Sequence, residues 1–306
     1  MDISVIIINY NTPELTLQCV ESIYKFTENV SFEIIVVDNC STDNSVDLLS
    51  HYKKIKLILS EHNLGFGKAN NLGFKYAKGK YIFLLNSDTL LLNNALKEFF
   101  DKMENLPSEV ACIGCRLLSI DGNVAKSIGI WKELSIRGNL TEAILAYLPF
   151  IRSSRNNHAI NNYNLLNNND PFVKVDVVIG ADMFIRRTVI DNLGLFDPRF
   201  FMYTEESDMQ RTFYENGYIC GIIQGPRIIH LEGKSAPSSK RRLMHTAAKF
   251  TYFKKWESPV KYYLYRVLFL LLRLPITIIN WKFSWREKGQ YLKLLFSKAK
   301  DDSRNY

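Results

Sequence analysis

Four short apolar runs, each closing on polar residues, constrain this chain more than any other feature. They are ISVIIIN (3–9), FEIIVVDN (32–39), IKLILS (55–60) and KYIFLLNSD (80–88). Continuous runs of β-branched and aromatic residues at this length predict strands buried on both faces, as in parallel sheets. The segments between them have helical length. In TPELTLQCVESIYKF (12–26), Thr12 is placed to cap, Pro13 takes the first helical position and Glu14 sits in the first turn. Leu17, Val20, Ile23 and Tyr24 keep helical spacing. STDNSVDLLSHY (41–52) reads as a second helix, capped by Ser41 or Thr42. GFGKANNLGFKYAKG (65–79) reads as a glycine-rich loop leading into a third. This alternation predicts an α/β fold with a doubly wound, mostly parallel central sheet and helices on both faces. Such sheets bind ligands at the carboxyl ends of their strands. There the chain gathers Asn9 and Asn11, Asp38 and Asn39, and Asn86 and Asp88.

The second half is less regular. ALKEFFDKMEN (95–105) has helical spacing, and VACIGCRLLS (110–119) and VKVDVVIGADMFIRR (173–187) read as strands. RTVIDNLG (187–194) reads as a helix ending at Gly194, and YTEESDMQRTFYENG (203–217) as one opened by acids. The Asn-rich stretch in 152–170 predicts a mobile loop. Of five cysteines, Cys112 and Cys115 form a lone C-x-x-C without a second pair at zinc spacing, so buried free thiols are expected. The opening MDISVIIINYN has no basic stretch and too short an apolar run for a signal peptide, which predicts a cytoplasmic body with reduced thiols.

A carboxylate at the end of a buried strand holds a metal, a ribose or a proton. Asn86 and Asp88 are hard oxygen ligands suited to Mg²⁺ or Mn²⁺ sharing a diphosphate; Asn-Ser-Asp is equally good turn chemistry. Asp38 stands where an acid binds ribose in nucleotide-binding sheets, or where a helix cap is needed. The acids Glu205, Glu206 and Asp208 open a predicted helix, where negative charge is favourable against the dipole.

Seven segments occur in an order that resembles the family 2 glycosyltransferases: VIIINYN, VVDNCSTDNS, NLGFGKANNLG, LLNSDT, GADMFIRR, GLFDPRFFMYTEESDMQR and HLEGKS. The likeness covers roughly residues 1–236 and is best to the rhamnosyltransferase-like branch of bacterial surface-polysaccharide synthesis. It implies a GT-A type, Rossmann-like fold. It also implies inverting, metal-dependent transfer from a nucleotide-diphosphate sugar, dTDP-rhamnose first, to a lipid-linked oligosaccharide, as in O-antigen synthesis. A UDP-hexose transferase (galactosyl, glucosyl or N-acetylhexosaminyl) and a non-catalytic, membrane-bound sugar-nucleotide binder are the alternatives. By that resemblance Asp88 and His230, with Asn86, hold Mn²⁺ or Mg²⁺. Asn9, Asn11, Asp38, Asn39, Asn63, Asn70 and Ser87 line the nucleotide-sugar pocket. Glu206 is the general base, with Asp208 and Glu205 as rivals, and neighbouring like charges are expected to raise its pKa. Asp182 binds a sugar hydroxyl or caps a turn.

Charge divides the chain unevenly. From Lys240 onward there are 16 Lys and Arg against 4 Asp and Glu, which leaves 23 basic and 27 acidic residues before it. The stretch VKYYLYRVLFLLLRLPITIINWKFSW (260–285) is the most apolar in the chain, yet Arg266 and Arg273 interrupt it and Pro275 is expected to kink it. Arg266 and Arg273, two turns apart, share a helix face. Trp281 and Trp285 among Lys and Arg resemble an interfacial belt. The expected organisation is a glycosyltransferase domain over 1–240 and a basic, amphipathic, membrane-associating helical tail over 241–306. Within the first, 1–110 is the nucleotide-binding half and 111–240 the acceptor and catalytic half. The tail is expected to lie on an anionic membrane surface at the cytoplasmic face of the inner membrane, or to pack on protein as a core or dimerisation helix pair. Positive charge confined to an apolar tail argues against a nucleic-acid partner.

Overall fold

The computed structural model describes residues 1–145, 170–231, 238–279 and 284–296. In chain order come β1 (Ile3–Asn9), α1 (Pro13–Phe26), β2 (Phe32–Asp38), α2 (Ser45–His51), β3 (Lys56–Leu59) and α3 (Phe66–Phe74). β4 (Tyr81–Asn86), β5 (Thr89–Leu91), α4 (Ala95–Asn105) and β6 (Val110–Cys115) follow. Next are β7 (Ile128–Gly129), a 3-10 turn at Trp131–Leu134, α5 (Ile136–Leu145), β8 (Phe172–Val175), β9 (Val177–Val178) and β10 (Asp182–Arg186). Then come α6 (Arg187–Leu193), α7 (Glu205–Glu215), β11 (Ile219–Ile223), β12 (Ile228–His230), α8 (Ser238–Trp256), α9 (Pro259–Ile279) and α10 (Trp285–Phe296).

Eight strands form one sheet in the order β3-β2-β1-β4-β10-β6-β11-β8. The first four are mutually parallel, as their apolar runs predict. The chain starts in the middle, winds outward to β3, then crosses back to place β4 on the other side of β1. That reversal is a topological switch point, where such sheets open a crevice. Register fixes what faces it: Asn9 pairs with Asp38, and Ile8 with Asn86, so three polar strand ends form one row. β10 runs antiparallel between β4 and β6.

The core explains the strand runs. Val5, Ile7, Phe83 and Phe184 pack with Val20 and Ile23 of α1 and Phe99 and Met103 of α4, all within 2% of full burial. Each such side chain contributes roughly 1.5–3 kcal/mol of burial. On the other face α3 lies close against the sheet. A Cβ at Gly73 would stand 2.6 Å from Ile6 Cγ2, so only glycine allows this approach.

Several sequence expectations shift in position. The predicted 173–187 strand is three strands. β8 pairs with β11, β9 with β7, and β10 enters the main sheet. Apolar periodicity reports burial and cannot say which partner each piece takes. The 110–119 strand ends at Cys115, and Leu118 makes only isolated bridges to Val124 and Ile229. α2 begins at Ser45, with Asn44 as N-cap, because the Ser41 and Thr42 amides are drawn elsewhere. They donate to Asp38 Oδ2 at 3.0 Å and to Asn11 Oδ1 at 2.8 Å. α7 begins at Glu205, because Tyr203 and Thr204 hold left-handed φ values of 71° and 68°. α9 runs through Pro275 without ending there. Apart from Asp170, the predicted 152–170 loop lies outside the described residues, as does Trp281.

The chain forms two compact units. One comprises Met1–Gly129 with the described parts of 169–198 and 205–234, and holds the sheet. The other comprises the described parts of 130–168 and 235–306 with Arg199–Thr204. Its core joins Phe250, Tyr252 and Phe253 of α8 to Tyr262, Tyr265 and Phe269 of α9. No helix among the described residues is long and apolar enough to cross a membrane.

Candidate active site

The expected nucleotide side is one connected network. Asn9 Nδ2 donates to Asp38 Oδ1 at 2.8 Å and to Ser41 Oγ at 3.1 Å. Thr16 Oγ1 donates to Asn9 Oδ1 at 2.8 Å, and Ser41 Oγ also accepts from the Asn11 amide at 3.0 Å. Asn39 Nδ2 donates to Asn63 Oδ1 at 3.1 Å, while Asn39 Oδ1 accepts from the Leu64 amide at 2.8 Å. Asn63 Oδ1 also accepts from the Gly65 amide at 2.9 Å. The Asn39 amide donates to the Asn9 carbonyl at 2.8 Å, which joins Asn9, Asn11, Asp38, Asn39 and Asn63. Asn9, Asp38 and Asn39 are buried, and both Asp38 oxygens are engaged within the fold. Asp38 thus organises the loop around Ser41. Asn70 is buried inside α3 and donates to the Phe66 carbonyl, which places it behind the network.

The NSD triplet sits at the crossover from β4 to β5. β5 pairs antiparallel with β12, and the register sets His230 opposite Thr89. This short ribbon brings two residues 142 positions apart together: His230 Nε2 lies 3.4 Å from Asp88 Oδ1. Asn86 Nδ2 lies 3.5 Å from the same nitrogen. Thr89 Oγ1 donates to the Asn86 carbonyl at 2.8 Å, and the Leu231 amide to the Asp88 carbonyl at 2.9 Å, which fix both ends of the turn. Ser87 Oγ is 3.4 Å from Thr12 Oγ1, tying the triplet to the start of α1. One carboxylate, one imidazole and one amide make a mixed oxygen and nitrogen set. It suits Mn²⁺ or Mg²⁺ with positions left for phosphate oxygens. Among the described residues, no group of three His, Cys, Asp or Glu forms a closed metal cage.

The acids of α7 differ in access. Glu205 and Asp208 are 3% and 1% exposed, whereas Glu206 keeps part of its surface open. Burial raises the Glu205 carboxyl well above its usual range, with the Glu206 charge adding to it. Burial also raises Glu206, and Lys126 pulls it partly back. Desolvation is the main cause for Glu206, which corrects the expectation that like charges set it. Glu205 Oε2 is buried without a hydrogen-bond partner. A Cβ at Gly67, in the first turn of α3, would lie 3.7 Å from Glu205 Cβ. The acid cluster therefore borders the helix that follows the Asn63–Gly65 turn of the network.

Asp182 is fully buried at the start of β10. Its Oδ2 accepts from the Cys115 amide at 2.6 Å, and its Oδ1 has no hydrogen-bond partner. Burial lifts its carboxyl to about 7, opposed by the Cys115 hydrogen bonds and the charge of His230. All five cysteines are free, and four are buried.

A family model described as Glycosyl transferase family 2 matches residues 4–194, more than half of the chain. The chain belongs to glycosyl transferase family 2. Glycosyltransferase GlyG of Streptococcus pneumoniae is 32% identical over 112 residues, 35% of this chain and 37% of that protein. A poly(ribitol-phosphate) beta-glucosyltransferase of Bacillus spizizenii is 34% identical over 154 residues, 48% of this chain and 24% of that protein. The match thus spans well under half the length of either relative. Among solved structures, GalNAc-T7 with UDP, GalNAc and Mn²⁺ superposes with a TM-score of 0.63 at 15% identity, covering 96% of this chain and 54% of that one. Staphylococcus aureus TarS 1–349 in complex with UDP gives 0.55 at 16% identity, covering 96% and 79%. At these identities the likeness speaks for the fold, and the expected GT-A type α/β architecture holds.

This family 2 glycosyltransferase also carries positioning residues that sequence reasoning missed. Asn71 clamps the backbone of Phe196, donating to its carbonyl at 2.7 Å and accepting from its amide at 3.0 Å. Gln210, fully buried in α7, does the same to Val178 of β9 at 2.7 and 2.8 Å. Arg186 gathers the carbonyls of Met103, Leu106 and Val110 at the end of α4. A buried amide in a helix carries no periodic signal. The one hint was polar side chains on otherwise apolar faces.

Proposed function

We propose that the protein transfers a sugar from a nucleotide-diphosphate donor to an acceptor hydroxyl, with inversion at the anomeric carbon. The observation that carries this reading is the meeting of Asp88, His230 and Asn86 at the carboxyl edge of the sheet, beside the Asn9–Asp38–Asn39 network. A divalent cation, Mn²⁺ or Mg²⁺, would be held by these three side chains and would neutralise charge on the departing diphosphate. The network presents a fixed, already satisfied wall to the nucleotide, so little side-chain ordering is left for binding.

Glu206 removes the acceptor proton as the hydroxyl attacks. Of the three acids it alone keeps accessible surface, and lost hydration raises its proton affinity. Gln210 holds its helix in place from one turn behind, bonding β9 and accepting no part of the chemistry. A single base opposite the leaving group gives one displacement, and hence inversion.

A UDP-hexose is the first donor to test, because TarS and GalNAc-T7 carry UDP in their structures and the Bacillus relative is named for glucosyl transfer. dTDP-rhamnose, suggested by the sequence resemblance, comes second. The acceptor proposed is a lipid-linked oligosaccharide or a related surface polymer. A donor screen with Mn²⁺ and Mg²⁺, reading nucleotide release with and without lipid extract, tests the whole reading. Release from one donor that chelator abolishes is expected. No binding to any nucleotide sugar would overturn it.

A further inference from the structure

We propose that the outward face of α9 is a docking surface for an anionic lipid bilayer, lying in its interface rather than spanning it. The pattern of exposure carries this. Val260, Tyr263, Leu264, Val267 and Leu271 are 78, 65, 58, 54 and 62% exposed, and Ile278 is 51% exposed. At 100° per residue these side chains, with Leu268, fall within an arc of about 140°. They form a stripe about 27 Å long.

The opposite face is the one that carries the charge. Tyr262, Tyr265 and Phe269 are buried there. The Arg266 guanidinium lies 4.9 Å from the Phe250 ring centre, and that of Arg273 lies 5.6 Å from Phe269. The two arginines that break the apolar run are thus turned inward onto aromatic rings. The solvent side is left without a charge among its central residues. A helix facing water normally shows the reverse order.

Three features select a bilayer over a second copy of this chain. The stripe is set in a region with a twelve-charge excess of Lys and Arg over Asp and Glu, which would oppose self-association and favour an anionic surface. Lys261 stands exposed at the edge of the stripe, where a headgroup phosphate would lie. Tyr263 in the stripe and Trp285, 83% exposed at the start of α10, are the residue types that settle at the headgroup level. Amphipathic segments of this composition bury one face in the headgroup–acyl boundary.

Vesicle flotation of the full chain tests the surface without any sugar donor, so its outcome is independent of the transfer reading. The intact protein is expected to float with phosphatidylethanolamine–phosphatidylglycerol vesicles and to stay behind with phosphatidylcholine alone. Leu264→Asp with Val267→Asp and Leu271→Asp should lower flotation by on the order of tenfold or more. Its thermal melt should match wild type, because the three side chains are already in water. Should that variant misfold, Leu271→Cys bearing an environment-sensitive dye gives a second reading. Its emission is expected to shift blue with the anionic vesicles. Wild type left in the aqueous phase, a folded triple variant floating as wild type does, or a dye emission that does not move would each overturn the proposal. So would a lipid-free dimer that the triple variant converts to monomer while vesicles capture neither form.

Discussion

The two sides of the sheet edge are built to opposite rules. On the nucleotide side every prominent polar group is already engaged: Asp38 accepts from Asn9 and Ser41, and Asn39 bonds Asn63 and Leu64. On the chemical side, carboxylates are buried ahead of their hydrogen bonds. Glu205 Oε2 and Asp182 Oδ1 are enclosed with none, and for Glu206 the loss of hydration outweighs its backbone hydrogen bonds and the Lys126 charge. The first arrangement stabilises a shape. The second raises proton affinity, which costs stability and suits the base role proposed for Glu206.

That contrast is sharpest at Glu206. Glu206→Gln removes the proposed proton acceptor and keeps the shape of the helix, so transfer should fall by roughly 10²–10⁴-fold with nucleotide binding retained. Equal losses in nucleotide affinity, measured by calorimetry, would place the residue on the binding side instead. Wild-type activity should also drop on the acid side, at a pH above the ordinary carboxylate range, because the raised Glu206 carboxyl is protonated there.

The next effect concerns stability. Asp182 binds its proton up to about 7 when folded, against 3.8 ordinarily. The folded state therefore holds more protons than the unfolded chain across this window. Its contribution to stability is fully present below the lower value and is lost as pH rises through the upper one, by about 4 kcal/mol. The buried Glu205 acts with the same sign. Urea melts at about pH 5 and about pH 8 should show this slope, and Asp182→Asn should flatten it. An unchanged slope in that variant would assign the effect to Glu205 and Glu206.

On the satisfied side, Asp38→Ala strands the Asn9 amide and the Ser41 N–H, and should cost about 3 kcal/mol by denaturant melting. A cost near zero would show that the network is not the stabilising element it is taken for. Asn71→Ala should be milder, about 1–2 kcal/mol, since it frees two backbone groups of Phe196 beside the cluster. If transfer drops far more than stability, the clamp serves the acids and not the fold.

Much of this was legible from the chain. Apolar runs ending in Asn or Asp gave the parallel half of the sheet and its polar edge, because the middle of a strand buried on both faces is filled mainly by apolar side chains. Helix starts were less legible. Ser41 and Thr42 are good caps in isolation, yet Asp38 and Asn11 took their amides and moved the helix to Ser45. The 173–187 run split into three because partner choice is a long-range matter.

The sequence by itself determined the alternation of strands and helices, the polar row at the sheet edge and the excess of charge toward the C-terminus. All three follow from local burial and composition. Only the tertiary structure decided that the β5–β12 ribbon sets His230 beside Asp88, that Glu206 and not its neighbours stays accessible, and that α9 turns its arginines inward. Each of these depends on which distant surface a side chain meets, and no local pattern carries that information.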